Sequence, residues 1–528
     1  MLATVARYYF VASGQLNLVQ DEAQYWDWSR HPQLSYYSKG PLIAWIIKAG
    51  TAVFGNTELG VRIGAIFGSA AAQIIVYAGI AGLMRKPRLG VITLFILNTM
   101  PLFLASGILM TTDNPLFVCW LAALFCLHAT TVRPESRWPW IGLGAAMALG
   151  VLAKYTMLVM VGIALLHSLV LFRHGMLPRG HMRKLALALG AGAAVGLLPI
   201  LVWNAGNGWA SFRHVGRLAG VAPAATDAGA AIRPALWLEY IGGQFGLVSP
   251  WWLVFMLYGG GRALVRCVRA IPADAARERR EAAEAALFCC GFWPLFLFFL
   301  AWALPSRVYA NWPAMCYASG IVLAGYGVDS LLEKYRTEAG IWRRSASPHS
   351  QPRLLPLTRR LLPVWAGLGV AFCLFLLAQG SLPHVLPEKY NPLARLKGWE
   401  DLGRRVGEVR GAMPDPQKVF VFSDAYDVTA QLAFYVPGQP VAFCADFGRR
   451  LNQYDFWPGP EDRKGWDAIF VRRRPFVAPP PQLKAMFREV GQPETYRSTH
   501  RGGPGRTFGI LVLKGFTGEW PRESRGIY

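Results

Sequence analysis

Four short stretches of the chain carry residue types that could act on a charged substrate. The first begins Asp21-Glu22-Ala23-Gln24-Tyr25-Trp26 and continues to Tyr36-Tyr37-Ser38-Lys39-Gly40-Pro41. A carboxylate in such a loop could take a proton from a hydroxyl. The plainer reading is a pair of solvated acids that start a helix. Asp113 stands in Thr112-Asp113-Asn114-Pro115. It could equally begin the next helix, with proline just inside and the acid beside free amides. Lys154, followed by Tyr155, interrupts two apolar segments. A lone lysine near membrane depth is costly unless paired or wet, and snorkelling to the interface is its plain alternative. Arg307 opens Arg307-Val308-Tyr309-Ala310-Asn311-Trp312-Pro313, and a guanidinium can grip a phosphate with a fork of donors.

The elements that must position these residues are mostly apolar. Of 528 residues, 53% are hydrophobic and 16% charged, and the apolar residues come in runs. A helix needs roughly 20 residues to cross the hydrocarbon. The runs predict about 11 spans on that basis, near 1–18, 60–84, 90–108, 114–131, 138–153, 156–172, 184–203, 237–258, 285–304, 312–330 and 361–380. The N-terminal segment lacks a small-residue cleavage site and is expected to be a short first span. Residues 41–54 are apolar but short, with Lys48 inside, and are expected to lie in the interface.

Charge alternates between successive loops. Arg85-Lys86-Arg88, Arg133 and Arg137, Arg173 to Lys184, Arg262 to Arg280 and Lys334 to Arg360 form one basic set. The positive-inside rule puts that set in the cytoplasm and the opposite loops outside. Residues 343–360, basic and rich in Ser and Pro, are expected to be a cytoplasmic linker. After residue 383 the character changes. Strand-like runs at 418–422, 468–471 and 508–513, with a helix-like stretch at 399–410, predict a small α/β domain outside the membrane. The expected architecture is an all-α polytopic bundle over 1–383 and a soluble outer domain over 384–528.

The net charge of +23 is explained by the basic loops, and no basic–aromatic module supports nucleic-acid binding. Seven of the eight cysteines lie in or beside apolar runs and no CxxC occurs, so neither a disulfide framework nor a structural zinc site is expected. Each candidate residue alone is weak. Together, the topology gathers Asp21, Glu22, Lys39, Asp113, Lys154 and Arg307 at one membrane face. Carboxylates with cations there suit a phosphate-bearing lipid and an acceptor, because cations stabilise a phosphate leaving group. A transporter or lipid flippase is the alternative. Inverted repeats and broken helices near the midplane would mark one; neither is read in the sequence, and the candidate charges lie at one face rather than mid-span.

At these residues the chain resembles the bacterial polyprenyl-phosphate-sugar-dependent glycosyltransferases of the GT-C fold, the group of protein O-mannosyltransferases and the lipid A aminoarabinose transferase. Asp21-Glu22 with Tyr25 and Trp26 is similar to the acidic motif of their first outer loop. Tyr36-Tyr37-Ser38-Lys39-Gly40-Pro41 resembles the segment leading to the juxtamembrane helix. Thr112-Asp113, Lys154-Tyr155-Thr156 and Arg307 to Pro313 resemble later blocks in the same order. Gly398-Trp399, Tyr435 and Asn452-Gln453-Tyr454-Asp455-Phe456-Trp457 look like the outer domain of a bacterial subgroup.

The resemblance implies a sugar donor on undecaprenyl phosphate or a similar lipid, and a lipid, glycan or protein acceptor. It implies catalytic or positioning roles for Asp21, Glu22 and Asp113. It implies donor-phosphate binding by Lys39, Lys154 and Arg307, and substrate-lining positions for Tyr25, Tyr36, Tyr37, Tyr155, Asn311 and Trp312. Many relatives have Asp-His-Pro-Pro where this chain has Ser38-Lys39-Gly40-Pro41. Zinc has been associated with the aminoarabinose branch. Here the loop offers Glu22 and His31 without a ligand set, and no metal or other cofactor is assigned. The implied location is the bacterial inner membrane, with the C-terminal domain in the periplasm.

Overall fold

The computed structural model describes residues 1–218, 232–269, 275–344, 355–382 and 393–522. Most of linker 343–360 and the boundary near residue 383 lie outside the described residues.

All eleven apolar segments form helices, and the chain is a multi-pass membrane protein. Among the described residues, seven helices are long and apolar enough to cross a membrane, or eight if one bent pair is a single span. The helix His181–Gly206 shows why a lipid environment is required: Leu187, Val195, Leu198 and Val202 are exposed along it. In water that would be a large apolar patch. Its other face packs against Trp138–Ala153 through small residues. A Cβ on Gly192 would stand 2.4 Å from the Gly144 carbonyl oxygen, and one on Gly196 2.6 Å from that of Ala148. Small residues of this kind let membrane helices approach closely.

Four expected spans are shorter or broken. Trp138–Ala153 has 16 residues, about 24 Å at 1.5 Å per residue. The first helix covers only Leu2–Ala12, about 16 Å at 1.5 Å per residue and short of the hydrocarbon thickness. Segment 90–108 breaks into Pro87–Asn98 and Pro101–Ser106, because Pro101 begins a new helix rather than continuing one. Segment 237–258 is not one straight span. Ser249 has φ 74° and precedes Pro250, and the flanking helices Pro234–Val248 and Pro250–Val268 meet at 94°. The apolar segment 41–54 forms the helix Leu42–Phe54.

The C-terminal region forms a six-stranded mixed sheet: β1 Val419–Ser423, β2 Ala442–Cys444, β3 Asp467–Arg472, β4 Phe487–Val490, β5 Glu494–His500 and β6 Gly503–Phe516. The order is β2-β1-β3-β6-β4, with β5 also on β6. β1 runs parallel to β2 and β3, and β6 is antiparallel to β3, β4 and β5. The three expected strands are β1, β3 and β6, and the expected helix is Trp399–Gly411.

This domain shares a core with the segment that follows the first helix. Leu18, Ala23, Trp26 and Trp28 of the loop pack in one cluster with Trp399, Leu402, Val428 and Phe434. The Trp26 and Phe434 rings meet edge to face at 4.9 Å. Gln431 donates to the Leu18 carbonyl at 2.8 Å, the Leu18 N–H donates to the Tyr435 hydroxyl at 2.6 Å, and the Trp399 N–H donates to Asn17 at 3.1 Å. The C-terminal domain therefore helps to hold the loop that carries Asp21.

Candidate functional site

Asp21 and Glu22 occupy the first turn of the helix Gln20–Arg30, where negative charge suits the free amides. Consecutive helical residues do not face the same way, and here the separation is decisive. Glu22 is fully buried. It receives Arg62 Nε at 2.9 Å and Nη2 at 2.7 Å, the Met110 N–H at 2.8 Å and the Val19 N–H at 2.9 Å. Arg62 spends its remaining donors on the Leu16 and Asn17 carbonyls, both at 2.7 Å. A carboxylate so fully engaged clamps the loop, unlike the free carboxylate expected of a catalytic Glu22. Asp21 is solvent-accessible. Among the described residues it has no side-chain hydrogen bond or ion pair.

Lys39 reaches the same region through a tight approach. A Cβ at Gly40 would lie 2.0 Å from the Leu152 carbonyl oxygen, so only glycine lets the loop press against the end of Trp138–Ala153. Lys154 immediately caps that helix in extended backbone. Its ammonium donates to Asp113 Oδ1 at 2.7 Å, and Asn311 donates to the other carboxylate oxygen at 3.2 Å. Lys39 has no ion-pair or side-chain hydrogen-bond partner among the described residues.

The charges influence one another. Burial raises the Asp21 carboxyl above its ordinary value; Lys39 and Arg395 oppose this, while Glu22 and Asp113 add to it. Burial and then Lys154 lower the Lys39 ammonium, against Asp113 and Asp21. Tyr25 stands one turn from Asp21 on the same helix face. Its phenol is raised by burial and by Asp21 and Asp113, and is moderated by a hydrogen bond with Thr112.

Three neighbours were not identified in the sequence. Tyr426 of the C-terminal domain is raised by burial and by Asp21, and feels Arg450. His214 is pushed down to about 4 by burial, Arg450 and Lys39, so it is neutral at pH 7. Its ring lies 4.6 Å from that of Tyr37. These contacts are tertiary, and no local motif announces them.

The other expected residues divide. Tyr37 borders the site, its N–H donating to Gln453 at 2.7 Å. The Tyr155 and Ser211 hydroxyls share a hydrogen bond at 2.7 Å. Tyr36 is fully buried, stacked on Trp28 at 4.6 Å, with its hydroxyl donating to the Trp28 carbonyl at 3.0 Å. It is core, which corrects its expected lining role. Arg307 is exposed and paired with Glu239 at 2.6 Å, so its guanidinium is not brought into the lysine cluster as expected. Trp312 joins Trp302 and Tyr309 in an aromatic group at that turn. Among the described residues no three His, Cys, Asp or Glu side chains form a metal-ligand set.

Among the described residues the site is thus one unpartnered carboxylate and one unpartnered ammonium beside a Lys–Asp–Asn triad. Two ammonium groups can hold a dianionic phosphate, and the free carboxylate can accept a proton or orient a hydroxyl.

Residues 38–203 match the family described as dolichyl-phosphate-mannose-protein mannosyltransferase. A lipid A galacturonosyltransferase of Rhizobium johnstonii is 31% identical over 315 residues, 58% of this chain and 59% of that protein. An undecaprenyl phosphate-α-4-amino-4-deoxy-L-arabinose arabinosyl transferase of Sodalis glossinidius is 27% identical over 174 residues, 32% of this chain and 29% of that protein. The chain therefore spans less than two thirds of either relative's length. The crystal structure of ArnT from Cupriavidus metallidurans bound to undecaprenyl phosphate matches with a TM-score of 0.57 at 15% identity, covering 97% of this chain and 96% of that one. The chain has the fold of that protein, the expected GT-C fold.

Proposed function

We propose that this GT-C-fold membrane protein transfers a sugar from a polyprenyl-phosphate carrier to an acceptor at the outer face of the bacterial inner membrane. The observation that carries the reading is that Asp21 and Lys39, each without a side-chain partner among the described residues, influence each other's charge beside the Lys154–Asp113–Asn311 triad. The similarity to a lipid A galacturonosyltransferase and to an arabinosyl transferase supports a glycolipid acceptor of the lipid A type. The fold shared with an undecaprenyl-phosphate-bound neighbour supports that carrier.

The step is a single inverting displacement. The acceptor oxygen forms a bond to the anomeric carbon as the bond from that carbon to the phosphate oxygen breaks. The acceptor proton passes to Asp21, and the lipid phosphate keeps the bonding electrons. Lys39 and Lys154 neutralise the charge that grows on it, an electrostatic effect strengthened where water is scarce. Asp113 fixes Lys154, and Asn311 fixes Asp113. An acceptor that is itself a phosphate needs no base, and Asp21 then only orients it. Arg307 sits at the rim with Glu239 and takes no part in the displacement. The loops of the basic set face the cytoplasm, and the C-terminal sheet domain faces the periplasm.

The test is reconstitution of the full chain in nanodiscs with radiolabelled undecaprenyl-phosphate sugars and lipid A. Label appearing on lipid A with release of undecaprenyl phosphate is expected. Movement of the carrier across a vesicle bilayer without transfer to any acceptor would overturn the reading in favour of a flippase.

A further inference from the structure

A second cavity lies in the outer domain, at the edge strand β2, where the sheet meets the far end of the Asp21 helix. It encloses about 400 Å³, a volume in the range of small-molecule sites. His31, Phe443, Trp457 and Trp520 supply ring faces, and Arg463 and Arg522 supply cations. The His31 and Trp457 rings are 4.4 Å apart, so the first outer loop and the outer domain build the wall together.

Of the three carboxylates lining this cavity, Asp446 and Asp455 are already engaged, and Asp462 is largely exposed. Asp455 receives the Arg449 guanidinium at 2.8 and 2.9 Å and the Asn452 N–H at 2.6 Å. Asp446 receives the Gly448 and Arg449 N–H groups, both at 3.1 Å. Arg522 is paired with Glu461 at 2.7 Å. Arg463 is different. Its guanidinium lies 4.7 Å above the Phe443 ring and 5.0 Å above that of Trp466. Among the described residues it donates no side-chain hydrogen bond, and its ion-pair contact is Asp462 at 4.0 Å, on a side chain 82% exposed. A largely buried cation with unused donors, held flat by aromatic faces, is arranged for an anionic ligand that also offers an apolar ring face.

We infer that this cavity binds an anionic sugar residue, with Arg463 holding its carboxylate or phosphate and the aromatic walls stacking on its ring. Asp21 and His31 stand at opposite ends of one helix, about 15 Å apart at 1.5 Å per residue. The cavity is thus placed to hold a remote saccharide of the acceptor while another part reaches Asp21. In that role the inference rests on the proposed transferase reading, but binding is read without transfer, so either can fail alone.

The experiment is saturation-transfer NMR on the full chain in nanodiscs, with glucuronate and galacturonate as probes and glucose and galactose as neutral controls. Uronates are expected to give signals well above the neutral sugars. Those signals should persist in Lys39→Met and fall to the neutral level in Arg463→Gln. Arg463→Lys should recover part of them. Equal signals from uronates and neutral sugars in the wild-type chain would overturn the inference whatever the variants do. So would full uronate binding by folded Arg463→Gln, or loss of binding in Lys39→Met, which would assign the uronate to the lysine cluster.

Discussion

The two ends of the helical bundle are both rich in charge, but they use it differently. At the basic end, Glu284 takes Lys86 and Arg280, Asp329 takes Arg88 at 3.0 Å, and Glu281 takes Arg277 at 3.2 Å and Arg266 at 3.6 Å. Every one of these carboxylates is answered by a cation. At the other end Lys154 answers Asp113, while Asp21 and Lys39 have no partner among the described residues. A charge left without a protein partner is free to meet one on a substrate, and its presence fits such a site. Satisfied pairs hold helices together, and unsatisfied groups mark where chemistry can occur.

That contrast breaks most visibly if variants of unpartnered and of satisfied charges behave alike. Asp21→Asn should lower transfer by about 10²–10⁴-fold, the usual range for a lost general base, with no fall in melting temperature in detergent. Glu22→Ala should do the reverse. Stranding buried Arg62 should cost about 3–5 kcal/mol of stability, read as a lower melting temperature, with lost activity following lost folded protein. Lys39→Met should reduce kcat/KM for the donor by roughly 10²-fold.

The pH profile sharpens the comparison further. A carboxylate base works only when ionised, so activity should fall as pH drops through the Asp21 value, which burial holds above the ordinary aspartate value. Lys39 pulls that value down; in Lys39→Met the acid limb should therefore move to higher pH. The smallest effect is expected for Arg307→Ala. Its pair with Glu239 is solvent-exposed, and exposed pairs contribute little, so donor kinetics should change by roughly threefold or less.

Most of the bundle was legible in the sequence, because apolar length and alternating loop charge follow directly from crossing a bilayer. Its breaks were less so. Ser249-Pro250 sits within continuous apolar sequence, and only the backbone turn at Ser249 reveals the bend. The site was legible as a set of residue types at one face but not in its division of labour. Asp21 and Glu22 are neighbours of the same chemistry. What separates them is Arg62, forty positions away, which closes on Glu22 alone. Tyr36 and Tyr37 divide the same way, one stacked under Trp28 and the other facing His214. Tyr426, His214 and Arg450 reach the site through tertiary packing, to which hydrophobic periodicity is blind.

The most direct test is single-turnover release of undecaprenyl phosphate from a bound radiolabelled donor, in the presence of acceptor, by the wild-type chain and by Asp21→Asn at matched folding and donor occupancy. The account predicts rapid release by the wild-type chain and release slowed at least about 10²-fold in the variant, with donor binding unchanged. Release at a near wild-type rate by Asp21→Asn would contradict it.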